Sequence, residues 1–217
     1  MKARSKHTPL SRERILSTAL SILDREGLEA ISMRRVGDEL GVEAMSLYNH
    51  VANKAAMLDG IFETILRELP APARSSSWRS ALRKRARELR QVLRAHPHAL
   101  PIFATRPAVT PASLAHVESV LEVLRRAGFS PRRALGALQV LAAYVVGHTI
   151  ATRSPRKPDE DARPAYERLS EEHFPRVREA ARVLANYDET KEFELGLEAM
   201  LTGLEAARRG HSSDMEG

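Results

Sequence analysis

Residues 32–54 read Ser-Met-Arg-Arg-Val-Gly-Asp-Glu-Leu-Gly-Val-Glu-Ala-Met-Ser-Leu-Tyr-Asn-His-Val-Ala-Asn-Lys, and this stretch constrains the fold more than any other. Ser32 is a good N-cap, and the helix it starts ends at Gly41, a residue suited to the left-handed position after a helix. Val42 and Glu43 turn the corner. A second short helix is expected from about Ala44 to His50. Val36, Leu40, Val42 and Leu47 form one apolar side, enough to fasten the two helices to each other and to a neighbour. The outward side of the second helix keeps Ala44, Met45, Ser46, Tyr48, Asn49 and His50, and none of these is acidic. A helix-turn-helix needs such a second helix, slim enough for a major groove and carrying donors and apolar contacts for base edges. Lys54, and Arg34 at the start of the first helix, are placed to meet phosphates, and Met33 beside Arg34 is counted with the DNA-contacting residues.

The rest of the chain reads as helix. Ser11 opens a first helix ending near Gly27, with Ile15, Leu16, Ala19, Leu20, Ile22 and Leu23 as a stripe too wide for a lone surface helix. Asn53 caps a helix from Lys54 to Leu69, which touches the reading motif at one end and a linker at 70–77 at the other. Further helices are expected over Trp78–Ala95, from Pro97 to before Pro107, from Thr110-Pro111 to Gly128, and from Ser130-Pro131 onward. A loop is expected at 154–164, then helix near Pro164 and over Ser170–Asn186. Asp188 caps a last helix, from Glu189 to about Arg208. No strand pattern appears, so the fold class is all-α: an N-terminal three-helix unit with the helix-turn-helix, then a C-terminal helical bundle. The boundaries are 1–55 for the arm and reading unit, 56–70 for the connecting helix and 71–217 for the bundle.

Charge and cysteine usage narrow the function. The net charge of +6 is uneven: residues 1–14 hold five Lys/Arg against one acid, residues 74–94 eight against one, and 158–217 eight against fifteen. The basic arm, expected to order only on DNA, suits backbone or minor-groove contact. The run Arg79, Arg83, Arg87, Arg90 and Arg94 reads as a solvated helix face. There is no cysteine, which fits a reducing cytoplasm, and no apolar run follows the basic N-terminus, which argues against a signal peptide. The 19 residues between Arg133 and Arg153 carry no acidic or basic charge if His148 is neutral. As a helix they would span about 28 Å. Gln139, His148, Thr149, two glycines and several alanines make them poor membrane material, and a helix buried within a bundle is the expectation.

Several runs together resemble the DNA-binding domain of the tetracycline-repressor (TetR) family. They are Arg14-Ile15-Leu16, Ala19-Leu20, Gly27-Leu28, Met33-Arg34, Leu40-Gly41-Val42, Ser46-Leu47-Tyr48, His50-Val51, Asn53-Lys54 and Leu58-Asp59. The match runs without a gap from Ser11 to about Phe62, which is more specific than a generic helix-turn-helix. In the family Tyr48 and His50 look like backbone-positioning contacts, leaving Ala44, Met45, Ser46 and Asn49 as the base readers. The resemblance continues at Trp78, Phe103-Ala-Thr-Arg-Pro107, Ala127-Gly-Phe-Ser130, Phe193-Glu-Leu-Gly-Leu-Glu198 and Gly203-Leu-Glu205.

The resemblance implies two further features. The last helix and the long one before the loop form a four-helix dimer interface in that family. The matching faces here hold Gly136, Ala143 and Gly147, and Phe193, Gly196, Leu197, Met200, Gly203 and Leu204. Glycine within a helix costs about 1 kcal/mol relative to alanine, which close approach of another helix would offset. The bundle also implies a small-molecule pocket, for which the lining candidates are Leu89, Phe103, Thr105, Val117, Leu121, Leu138, Leu141, Tyr144 and His148. The family's namesake holds a drug–magnesium chelate. Its metal-binding histidine matches Ile102 here, its glutamine Val120, and its second-subunit histidine and glutamate Ala143 and Ala151. Only Thr105 survives. The effector expected here is a more apolar or aromatic molecule.

His96-Pro97-His98 is at most half a metal site, and no metal or cofactor is expected. Neither a nucleophile with its base, nor paired catalytic carboxylates, nor a phosphate loop, nor His-Glu-x-x-His is present, so catalysis is not expected. The reading is a cytoplasmic, homodimeric, ligand-responsive repressor whose partners are a palindromic double-stranded DNA operator, its own second copy and a small effector, with no membrane. The alternative is an effector-independent DNA-binding protein whose C-terminal bundle only dimerises.

Overall fold

The computed structural model describes residues 9–71, 77–152, 168–184 and 188–209. The expected flexible arm up to residue 8, most of the 70–77 linker, the 154–164 loop, the helix near Pro164 and the tail after 209 lie outside these residues. Ten α-helices and two single 3₁₀ turns make up the described structure, and no strand occurs among the described residues.

Local side-chain chemistry sets most helix starts. Helix α1 (Arg12–Glu26) is capped by the Ser11 hydroxyl, which accepts from the Arg14 amide, and ends at Gly27 with φ +87°. Helix α2 (Met33–Leu40) is capped by Ser32, and α3 (Ala44–Leu47) follows the corner. Helix α4 (Lys54–Leu66) starts under the Asn53 side chain, which accepts from the Ala56 amide at 2.8 Å. Helix α5 (Trp78–Ala95) is capped by Ser77, and a 3₁₀ turn (Pro97–Ala99) leads into α6 (Leu100–Thr105). Thr110 and Ser113 form a reciprocal capping box at the start of α7 (Pro111–Arg126), and Gly128 follows it at φ +87°. The last three helices are α8 (Pro131–Ala151), α9 (Pro175–Leu184) and α10 (Glu189–Arg209), and Asp188 accepts from the Thr190 and Lys191 amides.

Three elements are shorter than expected. Helix α3 is regular only to Leu47, because i→i+3 bonds from Tyr48 to Met45 and from His50 to Leu47 tighten the chain there. Helix α4 stops at Leu66 and runs on to Leu69 as turns, Glu68 bonding Ile65 and Leu69 bonding Leu66. Helix α9 begins at Pro175 instead of Ser170; the Ser170 side chain is spent on His173, 3.0 Å away, and proline takes the first helical turn.

The chain divides into two compact units, residues 1–149 and 150–217. In the first, α1 lies against α2 and α4, and α4 in turn against α5, α6 and α7. The stripe of α1 is buried, together with Val36, Leu40, Leu47, Met57, Ile61 and Ile65, as the sequence implied. One core joins these to Val92, Ala99 and Ile102, so apolar packing runs unbroken from the reading motif through α4 to α5 and α6. Gly60 makes the central crossing possible: a Cβ there would sit 2.4 Å from the nearest Leu16 methyl. Trp78 meets Phe129 edge to face at 5.0 Å, tying the start of α5 to the turn before α8.

Helix α8 corrects the expectation of a helix buried in a bundle. Ala134, Ala137, Leu141, Val145, Val146 and Thr149 face inward, but only 33% of its apolar window is covered. Leu135, Val140, Ala143, Gly147 and Ile150 are exposed. It is the one described helix long and apolar enough to cross a membrane by length and composition. In the second unit α9 exposes Phe174 just before it, with Val177 and Val183, and α10 buries Phe193, Leu197 and Leu201.

Candidate nucleic-acid interface

The corner is built on two glycines. Gly41 takes the left-handed conformation (φ +69°), which lets its amide close on the Asp38 and Gly37 carbonyls. Gly37 sits directly beneath the corner, and a Cβ there would lie 2.9 Å from the Val42 carbonyl oxygen and 3.3 Å from the Ala44 nitrogen. Both contacts are to backbone, so no side chain can yield. The sequence reading credited Gly41 but missed Gly37, whose signal was a glycine in a helix interior.

From this corner α3 projects outward, pinned by Leu47, which is fully buried. The candidate contacts then fall into place by exposure. Met45 is 71% exposed and Tyr48 46%; Asn49 and His50 are exposed, while Ala44 and Ser46 are half-buried at the base. Lys54 is exposed on the first turn of α4, and Arg34 is 90% exposed with only a 4.0 Å approach to Asp38. Met33 stands apart: its side chain is buried in the core, which corrects its reading as a side-chain contact and leaves only its backbone for a phosphate. No acid occurs from Ala44 to Lys54, so the face itself is neutral; Lys54 and Arg34 stand at its margins, with the exposed Glu43 just before α3.

Charge pairs hold the frame behind this face. Arg35 spans Glu26 of α1 (2.6 Å) and Glu39 of its own helix (2.7 Å), and Arg25 reaches Glu26 and Glu39 at 3.0 Å. The hydrogen bonds from Arg35, then Arg25, hold both carboxylates below the usual glutamate range. All four groups are partly exposed, so the network orients α2 on α1 more than it stabilises it. Glu63 of α4 is different, because its carboxylate is buried. Burial pushes it up, but hydrogen bonds from Arg12 and Thr110 and the charges of Arg12 and Arg67 outweigh that and leave it ionised. One buried carboxylate thus links α1, α4 and the start of α7, and sequence reasoning missed it because Glu63 looks like any surface glutamate of a helix.

The link from the reading unit to the bundle is equally specific. Arg106, just after α6, forms an ion pair with Asp59 of α4 at 2.7 Å and donates to the Ala55 carbonyl at 3.1 Å. Phe103 stacks on Phe62 at 4.3 Å and packs, half-buried, against the core beneath the reading motif. This corrects its reading as a pocket-lining ring. Thr105 is exposed, its hydroxyl donating to the Pro101 carbonyl at 2.7 Å, so it too leaves the lining set. Leu89, Val117, Leu121, Leu138, Tyr144 and His148 are partly buried on α5, α7 and α8, and Leu141 fully so; the Tyr144 and His148 rings are 5.9 Å apart. His116 of α7, not singled out from the sequence, is pushed below the ordinary histidine value by burial and by the charge of Arg85. Arg90 corrects the reading of α5 as a wholly solvated basic face, since it is buried.

The glycine faces of α8 and α10 divide. Gly136, Gly147 and Gly203 have nothing within 4 Å of a would-be Cβ, and Ala143 and Gly203 are exposed. Gly196, Met200 and Leu204 are half-buried. Phe193 and Leu197 are buried within the single chain, so they are core side chains and not the interface groups they were read as. The outward apolar positions of α10 include Leu195, at 73% exposure, and Ala199, Ala206 and Ala207.

Comparison with known proteins gives a consistent picture. Residues 15–61 match the family described as bacterial regulatory proteins, tetR family, and residues 70–208 match the tetracyclin repressor-like C-terminal domain. The HTH-type transcriptional repressor DrrR1 of Streptomyces coeruleorubidus is 34% identical over 94% of this chain and 82% of its own length. The class D tetracycline repressor protein of Escherichia coli is 32% identical, over 90% and 89% respectively. Among solved structures, the Streptomyces coelicolor protein ActR in complex with actinorhodin superposes with a TM-score of 0.81 at 32% identity, covering 92% of this chain and 97% of that one. The same protein bound to (S)-DNPA gives 0.83, covering 92% and 99%.

Proposed function

The chain belongs to the tetR family of bacterial regulatory proteins, with a tetracyclin repressor-like C-terminal domain, and on that premise we propose that it is a homodimeric repressor released from a palindromic operator by an aromatic or otherwise apolar small molecule. The observation that carries the reading is the acid-free exposed face of Met45, Tyr48, Asn49 and His50 on an element pinned by Leu47. Each subunit places this face in a major groove, the two centres about one helical turn, roughly 34 Å, apart. Met45 and Ala44 offer apolar contact to a thymine methyl, and Asn49 pairs with adenine. Lys54, Arg34, Tyr48 and His50 hold the backbone. The protein acts in the cytoplasm and without catalysis.

A second copy is supported by the open glycines of α8 and α10 and by the exposed Leu135, Val140 and Leu195. Helix α8 alone would also suit a membrane by composition; family membership favours a partner subunit. The effector class is supported by the partly buried apolar residues of α5, α7 and α8, and a small-molecule effector as such by the complexes of ActR, similar at 32% identity, with actinorhodin and (S)-DNPA. By the resemblance to the family's namesake, the positions that would hold a tetracycline–magnesium chelate carry Ile102, Val120, Ala143 and Ala151 here. Binding energy that differs between the operator-bound and released states is what a ligand must supply to drive release.

Binding-site selection with the purified protein, followed by light scattering and a thermal-shift screen of aromatic compounds, tests the three parts together. A palindromic consensus, a dimer mass and at least one stabilising compound that weakens operator binding are expected. A monomer, or indifference to duplex DNA in dilute salt, would overturn the proposal; DNA binding that no compound alters would favour an effector-independent protein.

A further inference from the structure

His96-Pro97-His98 lies at the end of α5, on the turn that leads into α6, and both imidazoles point back at the reading unit. His96 Nδ1 is 2.9 Å from an Asp24 carboxylate oxygen in the last turn of α1, and its Nε2 is 3.0 Å from Glu68 in the turns that follow α4. His98 Nδ1 is 3.0 and 3.1 Å from the Leu23 and Asp24 carbonyls, so it donates to the last turn of α1. The His96 side chain is only 12% exposed.

We propose that His96 is a proton-dependent clasp between the reading unit and the bundle: charged, it ties the ends of α1 and α4 to the α5–α6 junction, and neutral, it releases one of them. The argument is one of hydrogen-bond supply. Two carboxylates can only accept, so both ring nitrogens must carry protons for both bonds to exist. A neutral ring donates to one carboxylate and turns a lone pair toward the other at about 3.0 Å. Burial by itself would favour the neutral ring, but the bonds to Glu68 and Asp24 and their charges outweigh it, and the group titrates above its ordinary 6.5. Asp24 and Glu68 are the charges on the ring from the two elements packed against it. Of the nearby cations, Arg25 is engaged by Glu26 and Glu39, Arg67 by Glu63, and Arg94 is exposed on the last turn of α5. His98 faces carbonyls and adds no anion.

Because the folded value is raised, the stabilisation is complete below the ordinary histidine value and is lost as pH rises through the folded one. The clasp therefore loosens as pH rises through that raised value, and it does so at the C-terminal end of α4. The test uses the full-length protein with ¹³C-labelled histidine, the His96 signal being identified by its absence in His96→Gln. The expected result is titration of that signal above 6.5, together with a fall in unfolding midpoint between pH 6.0 and 8.5 that is roughly 2–4 °C larger in the unaltered protein than in His96→Gln. Titration at or below 6.5, or parallel midpoints, overturns the clasp. If His96→Gln does not fold, Asp24→Asn and Glu68→Gln carry the test. Each should pull the His96 titration down toward 6.5, and an unmoved titration overturns the proposal.

Discussion

The reading unit and the two C-terminal helices α8 and α10 use similar residues to opposite ends. In α1 to α4 every apolar stripe is covered by the same chain, and each close approach has an occupant: the Leu16 methyls beneath Gly60, the Val42 carbonyl above Gly37. In α8 and α10 Gly136, Gly147 and Gly203 open onto empty space, and Leu135, Val140 and Leu195 stand in solvent. A glycine in a helix is a cost that the first region recovers internally and the second does not. The first region is covered by its own chain; the second leaves apolar side chains open, which supports the partner subunit proposed above. Large apolar faces left open on a helix of this length call for a partner.

That contrast can be broken from either side. The largest effect is expected from Leu47→Asp, which puts a charge at a fully buried site: operator binding should vanish and the reading unit lose about 3–5 kcal/mol. Light scattering should still give a dimer mass; a monomer would mean that the two regions are not separable. Next, the double change Gly147→Glu and Gly203→Glu should dissociate the dimer at micromolar concentration while leaving the fold of the reading unit intact by circular dichroism. A dimer that survives both charges would move the interface elsewhere. Third, Tyr48→Ala and Lys54→Ala should each weaken operator binding about tenfold without altering the oligomer, and Lys54→Ala should reduce the salt slope by about one. Smaller in affinity, but sharper, is Asn49→Ala: its selected sites should lose a preferred base while overall binding falls by about 1–3 kcal/mol or less. Smallest of all, tetracycline with magnesium should give no heat above dilution in a calorimetric titration, and micromolar binding would contradict the substitutions at Ile102 and Val120.

Much of the reading unit was legible because its instructions are local. Ser11, Ser32, Asn53, Thr110 and Asp188 each announce a helix start through one side-chain oxygen, and the structure uses all five as caps. Gly27, Gly41 and Gly128 announce ends through their backbone freedom, and all three have positive φ. Length was harder to read. The stop of α3 at Leu47 depends on a tightening turn that no residue type signals in advance. Facing was harder still. Phe193 and Leu197 have the spacing of an interface, yet the chain buries them itself; period alone does not say whose side chains cover a stripe. Met33, Phe103 and Glu63 failed for a related reason, since their roles are set by elements distant in sequence: the core for Met33, Phe62 for Phe103, and Arg12 and Thr110 for Glu63.

The single turn of α3 sets a limit on information. Four or so side chains on one turn can name only a few letters, whereas a genome offers on the order of 10⁶–10⁹ rival addresses. Even written twice, so short a word is ambiguous, and the remainder of the address must be stored in the DNA itself, in how willingly the letters between the two words bend. Base pairs that this protein never touches should therefore change its affinity, and two operators with identical half-sites but spacers of different stiffness should not be read alike.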